Sequence, residues 1–128
     1  MTETAERSYT IEQVSTATGL TAHTLRYYER IGLLEQVPRA TSGHRRYTVD
    51  DLGWVRFVMM LRQTGLSIAD SLHFMELTRS GDDTIPDRVR LLRAHRDDLV
   101  AQLAVLQRHL GAINSKIDVY EGLLGSRR

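Results

Sequence analysis

The sequence of 128 residues contains no cysteine and no long apolar run. Without cysteine the chain can form neither disulfides nor thiolate metal sites, and it has no thiol nucleophile. None of its apolar runs approaches the roughly 20 residues that a membrane-spanning helix needs. The first ten residues also lack the apolar centre of a secretory signal. We therefore expect a cytoplasmic protein with no membrane partner.

Excess charge of either sign is also missing. The chain carries 17 basic and 16 acidic residues, for a formal net charge of +1, so its total charge does not indicate a nucleic-acid partner. The distribution is more informative, because residues 21–47 contain five arginines against two glutamates. Lysine is nearly absent, since Lys116 is the single lysine, and arginine favours forked contacts with phosphates and base edges.

The residue sets that carry catalysis or bind metals are missing as well. The five histidines are scattered through four separate elements, and no two are three or four residues apart, as a helical metal site requires: His23, His44, His73, His95 and His109. No Ser-His-Asp set, pair of catalytic carboxylates or glycine-rich phosphate loop is evident. We therefore expect no metal, no cofactor and no enzymatic activity.

The N-terminal part of the sequence predicts two short helices. Thr10 followed by Gln13 has the spacing of a capping box, and apolar residues at helical spacing follow until Gly19, which favours a helix end. Thr21 can cap a second helix that runs to about Ile31. Two short helices joined by a tight turn containing glycine indicate a helix-turn-helix.

The pattern then changes to that of a hairpin. Turn residues, Pro38 and Gly43 among them, separate two short segments, 34–37 and 44–47, that could pair as strands. Such a hairpin predicts a wing beside the helix-turn-helix, and it would carry a basic cluster consisting of Arg39, His44, Arg45 and Arg46.

Two further helices are predicted after the wing. Thr48 can open a helix that is apolar on more than one side and hence buried, with acidic residues in its first turn. Ser67 can cap the next helix, which ends near Arg79. Residues 81–84 are predicted to form a linker.

The last segment is the most regular in the chain. Its seam residues are separated alternately by three and four positions: Val89, Leu92, Arg96, Leu99, Leu103, Leu106, Leu110, Ile113, Ile117, Tyr120 and Leu124. This heptad pattern predicts a coiled-coil helix over residues 85–124, about 60 Å long. Packing against its own small domain is the alternative, but that domain is too short to cover the stripe. We expect a homodimer formed through Val89 to Leu124, while the seam alone leaves parallel and antiparallel pairing open.

Specific motifs connect these features to a known family. The strings T-L-R-Y-Y-E-R-I-G-L-L from Thr24 and G-H-R-R-Y from Gly43 closely resemble the MerR family of bacterial transcription regulators. The resemblance covers residues 8–78 motif by motif, and the terminal helix by architecture only. It implies a mostly α fold with the following domains: a loose tail at 1–7, a winged helix-turn-helix DNA-binding domain at 8–80, a linker at 81–84, a dimerising coiled-coil helix at 85–124 and a tail at 125–128.

The resemblance, together with the way a recognition helix enters the major groove, also predicts the DNA contacts. Arg26 can fork onto a guanine edge or a phosphate. Tyr27 is expected at the phosphate backbone while Tyr28 packs inside. The wing residues would bind the phosphate backbone of the DNA, and Arg62 would contact a phosphate. The candidate DNA-binding residues are Thr21, His23, Thr24, Arg26, Tyr27, Arg39, His44, Arg45 and Arg62.

A function follows from the resemblance. It implies a homodimer that binds double-stranded DNA at an inverted-repeat promoter operator and bends and untwists it, so that RNA polymerase can engage the promoter. It also implies that the coil is antiparallel. The alternative is an architectural or excisionase-like protein that bends DNA without regulating transcription.

The signal that such a regulator would sense is left open. Only residues 125–128 follow the coil, so we expect no drug-binding effector domain, and the cysteine-based metal and redox sensors of the family are excluded. Three alternatives remain: constitutive regulation, control by another protein, and a small-molecule effector in a pocket between the DNA-binding domain and the partner's coil. Candidate pocket residues, for which core packing is the favoured interpretation, are Trp54, Met59, Met60, Phe74 and Met75.

Overall fold

The computed structural model describes residues 8–35 and 46–127 of the chain. Within these ranges the strands are β1 (Ser8–Tyr9) and β2 (Tyr47–Thr48), and the α-helices are α1 (Ile11–Thr18), α2 (Ala22–Arg30), α3 (Val49–Gln63), α4 (Ile68–Arg79) and α5 (Ile85–Ser126). A short 3₁₀ helix, Asp82–Thr84, precedes α5. The predicted mostly α fold is confirmed.

Local capping chemistry explains where the helices begin. Thr10 and Gln13 form a reciprocal capping box, in which the Gln13 amide N–H donates to Thr10 Oγ1 at 3.1 Å and the Thr10 amide N–H donates to Gln13 Oε1 at 2.9 Å. Thr48 and Asp51 form the same box at the start of α3. The α1–α2 turn depends on Gly19, whose φ of 81° is a left-handed conformation that side chains with a Cβ rarely adopt.

The short strands pair with each other rather than within a hairpin. In the antiparallel β1–β2 pair, Ser8 lies opposite Thr48 and Tyr9 lies opposite Tyr47. Half of the predicted wing pairing of 34–37 with 44–47 falls outside the described residues. Of the described half, Leu34, Glu35 and Arg46 lie in no strand, and Tyr47 pairs with Tyr9 instead. Tyr47 is 1% exposed and acts as the core anchor expected for this segment.

The core lies where α1, α2, α3 and α4 meet. Its buried side chains, all no more than 5% exposed, are Val14, Leu25, Leu33, Leu34, Tyr47, Val55, Val58, Leu61, Phe74 and Met75. The sequence predicts that α3 is apolar on more than one side and hence buried, and this is only partly right. Trp54 and Met60 are 39% and 41% exposed, because Val55, Val58 and Leu61 form the face of α3 that packs inward.

The residues predicted as a linker, 81–84, form a 3₁₀ turn that is held by local hydrogen bonds. The Thr84 hydroxyl donates to the carbonyl oxygens of Leu77 and Gly81. Arg88 Nη2 also donates to the carbonyl oxygen of Gly81, at 2.7 Å. The 3₁₀ turn therefore leads directly into α5 at Ile85.

Helix α5 is 42 residues long and has no buried residue in the single chain. The chain divides into two compact units at the boundary between Arg88 and Val89, so the first turn of α5 belongs to the N-terminal unit. The predicted seam is open, with Leu103, Leu106 and Leu110 each 54–62% exposed. In the part of the chain that is described, no helix is long and apolar enough to cross a membrane.

Candidate nucleic-acid interface

One face of α2 carries an exposed row of basic and aromatic residues. His23, Arg26, Tyr27 and Arg30 occupy positions i, i+3, i+4 and i+7, which lie along a single face of a helix. Leu25 on the opposite side is fully buried. The burial of one side thus fixes which side chains α2 presents to solvent.

The start of α2 is shaped by two threonines. Thr21 Oγ1 accepts from the Thr24 amide N–H at 3.0 Å and donates to Thr24 Oγ1 at 3.0 Å. No acidic residue lies in the first turn. The free N–H groups and the positive end of the helix dipole therefore favour an anion such as a phosphate. Thr21 is committed to the cap, and Thr24 keeps a hydroxyl hydrogen to donate.

Arg26 is exposed in the middle of this face. Among residues 8–35 and 46–127, it forms no ion pair with a carboxylate. The surface ion pair with Glu29, which was the alternative to DNA contact, is therefore absent from the described part of the chain. An arginine with its fork open to solvent can reach a base edge or a phosphate.

Sequence reasoning did not include Arg30 among the candidate residues. Its guanidinium carbon lies 5.6 Å from the centre of the Tyr27 ring, a cation–π contact. This contact restrains Tyr27, which is 39% exposed, while the neighbouring Tyr28 is half-buried. The spacing of Arg30 from Arg26 and Tyr27 is the sequence signal that could have found it.

Arg79, at the end of α4, holds the turn that follows α2. Its Nη1 donates to the carbonyl oxygen of Gly32 at 2.7 Å, and its Nη2 donates to that of Leu33 at 3.5 Å. Its Nε lies 3.5 Å from a carboxylate oxygen of Glu35. One guanidinium thus ties α4 to the C-terminal end of the exposed α2 face.

Replacing Arg79 with methionine is expected to lower the melting temperature by about 5 °C, because the two hydrogen bonds from its guanidinium to backbone carbonyl oxygens are lost. The pair with Glu35 adds little, since the Glu35 side chain is 68% exposed. Thermal unfolding followed by circular dichroism measures the change. Arg108→Met, on the exposed coil, is the matched control and should leave the melting temperature unchanged. Equal melting temperatures for Arg79→Met and the wild type would show that this link is not stabilising.

The predicted wing residues divide into two groups. Arg39, His44 and Arg45 lie outside the described residues, so their roles stay predictions. Arg46 lies within the described residues and binds β1. Its Nη2 donates to Ser8 Oγ at 2.8 Å and to the Ser8 carbonyl oxygen at 3.4 Å. Arg46 therefore holds the strand pair together rather than facing outward.

Arg62 lies apart from the α2 face in the chain, near the end of α3. Its Nη1 donates to the carbonyl oxygen of Leu66, which ties it to the turn before α4. Its Nε is buried without a hydrogen-bond partner among the described residues. The predicted phosphate contact of Arg62 stays a prediction, and only part of its guanidinium is open for one.

The candidate effector-pocket residues do not share one site. Trp54 and Phe74 border a shallow groove of about 510 Å³ together with Val49, Asp50, Gly53 and Phe57. Met75 is buried in the core, as favoured from the sequence, and with Trp54 it borders a separate cavity of about 120 Å³. In the described ranges no three histidine, aspartate or glutamate side chains cluster as a metal site would require.

Comparison with protein families gives two overlapping matches. Residues 9–77 match a family described as MerR HTH family regulatory protein. Residues 52–118 match one described as MerR, DNA binding. Together they span the N-terminal helices and most of α5.

Individual proteins match over most of the chain. An uncharacterized HTH-type transcriptional regulator of Haemophilus influenzae is 37% identical over 114 residues, which is 89% of this chain and 84% of that protein. The HTH-type transcriptional regulator AdhR of Bacillus subtilis is 42% identical over 70% of this chain and 64% of its own length. The crystal structure of HiNmlR, a MerR family regulator lacking the sensor domain and bound to promoter DNA, superposes with a TM-score of 0.82 at 36% identity, covering 90% of this chain and 91% of that one.

Proposed function

The chain belongs to the MerR family of helix-turn-helix transcription regulators, and we propose that it binds an inverted-repeat promoter operator as a homodimer. The observation that carries this proposal is the exposed face of α2, where His23, Arg26, Tyr27 and Arg30 stand in one row. A helix of this kind inserts its N-terminal half into the major groove. Promoter DNA is bound in the structure of the relative HiNmlR, which supports the same ligand here.

The DNA contacts divide by type. Arg26 would read a base edge, with His23 and Thr24 beside it, while Tyr27 would meet the phosphate backbone. Thr21, whose hydroxyl is held in the cap, would position this helix start at the groove. Phosphate contacts from Arg62 and from the wing residues Arg39, His44 and Arg45 complete the site. In this scheme residues 8–80 form the DNA-binding domain.

Dimerisation is supported by the open seam of α5. A helix of 42 residues is about 63 Å long, and it exposes a continuous apolar stripe that is unfavourable in water. Pairing the Val89–Leu124 seams of two copies would bury that stripe. A two-fold symmetric dimer then presents two α2 faces to two half-sites, which is why the operator should be an inverted repeat.

The dimer would act by deforming the promoter. Bending a short site by tens of degrees costs on the order of 1–6 kcal/mol, which contacts at two half-sites can offset. The bent and untwisted DNA would let RNA polymerase engage both promoter elements. The protein would work in the cytoplasm as a regulator rather than as an enzyme.

Binding to DNA from the region upstream of the gene that encodes this protein tests the proposal. We expect a fragment with an inverted repeat to bind with a Kd on the order of 10⁻⁸ M or tighter at physiological salt, and a scrambled fragment to bind at least about 1,000-fold more weakly. Fluorescence anisotropy at several salt concentrations measures both affinities. Equal affinity for the two fragments, lost together as salt rises, would contradict a sequence reader.

A promoter fusion separates regulation from architecture. A regulator should change reporter output when the operator is intact and leave it unchanged when the repeat is scrambled. An architectural DNA-bending protein would bind and bend the same fragment without changing the reporter.

A further inference from the structure

The seam of α5 contains one charged residue, Arg96, and it lies near the N-terminal end. Its side chain is 64% exposed, and its ion pair is a surface contact at 3.1 Å with the adjacent Asp97. Both ends of α5 carry charges of both signs, but the positions directly after the seam residues Leu92 and Tyr120 differ. Arg93 is basic near the N-terminal end and Glu121 is acidic near the C-terminal end, and both side chains are exposed.

A parallel pair of coils would set like charges against each other. In heptad terms Arg96 occupies an a position, so a parallel pair would bring it against Arg96 of the partner subunit. Arg88 at g would face Arg93 of the partner subunit at e. Attraction between Lys116 and Glu121 of the partner subunit would offset only part of this repulsion.

An antiparallel pair brings the opposite charges together. In that arrangement e positions flank e positions, so Arg93 can lie beside Glu121 of the partner subunit, and two-fold symmetry makes the contact twice. Gln107 then meets its own copy near the symmetry axis, where the two amides can exchange hydrogen bonds. Along the e positions of the antiparallel pair, no arginine or lysine lies beside another.

The same register accommodates Arg96. It lies opposite Tyr120 of the partner subunit, with Glu121 of the partner subunit next to it. Four further layers are aliphatic pairs, and Val89, at the end of the seam, meets no seam residue of the partner subunit: Leu92 with Leu124, Leu99 with Ile117, Leu103 with Ile113, and Leu106 with Leu110.

A shift by one heptad is less favourable. It would place Arg96 against the aliphatic Ile113 of the partner subunit, where a desolvated charge lacks a carboxylate. It would also draw Ile85 into the coil, although the first turn of α5 belongs to the N-terminal unit.

We propose that the ion pair between Arg93 and Glu121 of the partner subunit sets the register of the antiparallel dimer. This inference rests on the proposed function, which requires a dimer. It also limits which chains can pair with this one, since a partner must carry a basic residue at position 93 and an acidic residue at position 121.

Charge reversal at the two positions tests the pair. Arg93→Glu and Glu121→Arg should each raise the dimer Kd roughly tenfold at low salt, because each change turns two attractions into two repulsions. The double variant should return to within about twofold of the wild type, as expected for directly coupled residues. Sedimentation equilibrium of the full chain measures the Kd, and circular dichroism checks that each variant is folded.

Arg108→Glu provides the matched control. Arg108 is exposed at an outward f position, so its reversal should leave the Kd within about twofold. A tighter dimer in Arg93→Glu would indicate parallel pairing and overturn the proposal. Additive losses in the double variant would overturn it too, while leaving the dimer and the proposed function intact. A monomeric wild type would instead overturn the dimer itself.

Discussion

Replacing Arg26 with alanine is expected to weaken operator binding roughly 100-fold or more while the protein stays dimeric. Arg26 lies exposed at the centre of the α2 face, and in the described ranges its guanidinium is not held by a carboxylate. A forked contact with one base pair contributes about 1–3 kcal/mol of discrimination, and the dimer would lose two such contacts. Anisotropy with the operator and with scrambled DNA, at one fixed salt concentration, measures the loss.

Two further variants make this result specific. Arg26→Lys keeps the charge but loses the fork, so it should retain nonspecific binding while losing most of the preference for the operator. Arg108→Ala removes an exposed arginine from the coil and should bind like the wild type. Operator affinity within twofold of the wild type for Arg26→Ala would remove Arg26 from the recognition surface.

Placing aspartate at Leu106 is expected to convert the dimer to monomers, raising the dimer Kd by roughly 1,000-fold or more. Leu106 is 62% exposed in the single chain, yet the heptad pattern puts it at the centre of the seam. Burying an unpaired carboxylate there twice, once from each chain, carries a cost of several kcal/mol. Light scattering after size exclusion measures the mass, and operator binding should fall by a similar factor.

Val119→Asp is the matched control for this change. Val119 is 56% exposed on the same helix but lies off the seam, so the single chain gives no reason for the two variants to differ. We expect Val119→Asp to remain dimeric and to bind DNA normally. If both variants became monomers, the heptad assignment of the interface would be wrong.

Much of this fold could be predicted because its signals are local. Thr10, Thr21, Thr48 and Ser67 each cap the helix that the sequence assigned to them, since a cap depends on atoms three residues away. The 3-4 repeat likewise predicted a single long terminal helix, and α5 runs two residues past the expected end, to Ser126.

Contacts between distant segments could not be predicted. Arg46 reaches Ser8 across 38 positions, and Arg79 reaches Gly32 across 47. Nothing in the neighbouring sequence distinguishes these arginines from those that face solvent. The sequence alone therefore groups Arg46 with the basic residues of the wing, and it gives no sign that Arg79 contacts the turn after α2.

The open seam of α5 has a consequence for gene dosage. A chain with no buried residue along this helix gains its partner contacts only by mass action, which is second order in chain concentration. Below the dimer Kd, operator occupancy would therefore rise with about the square of the amount of protein made. At low occupancy, a threefold change in expression would then change operator occupancy about ninefold.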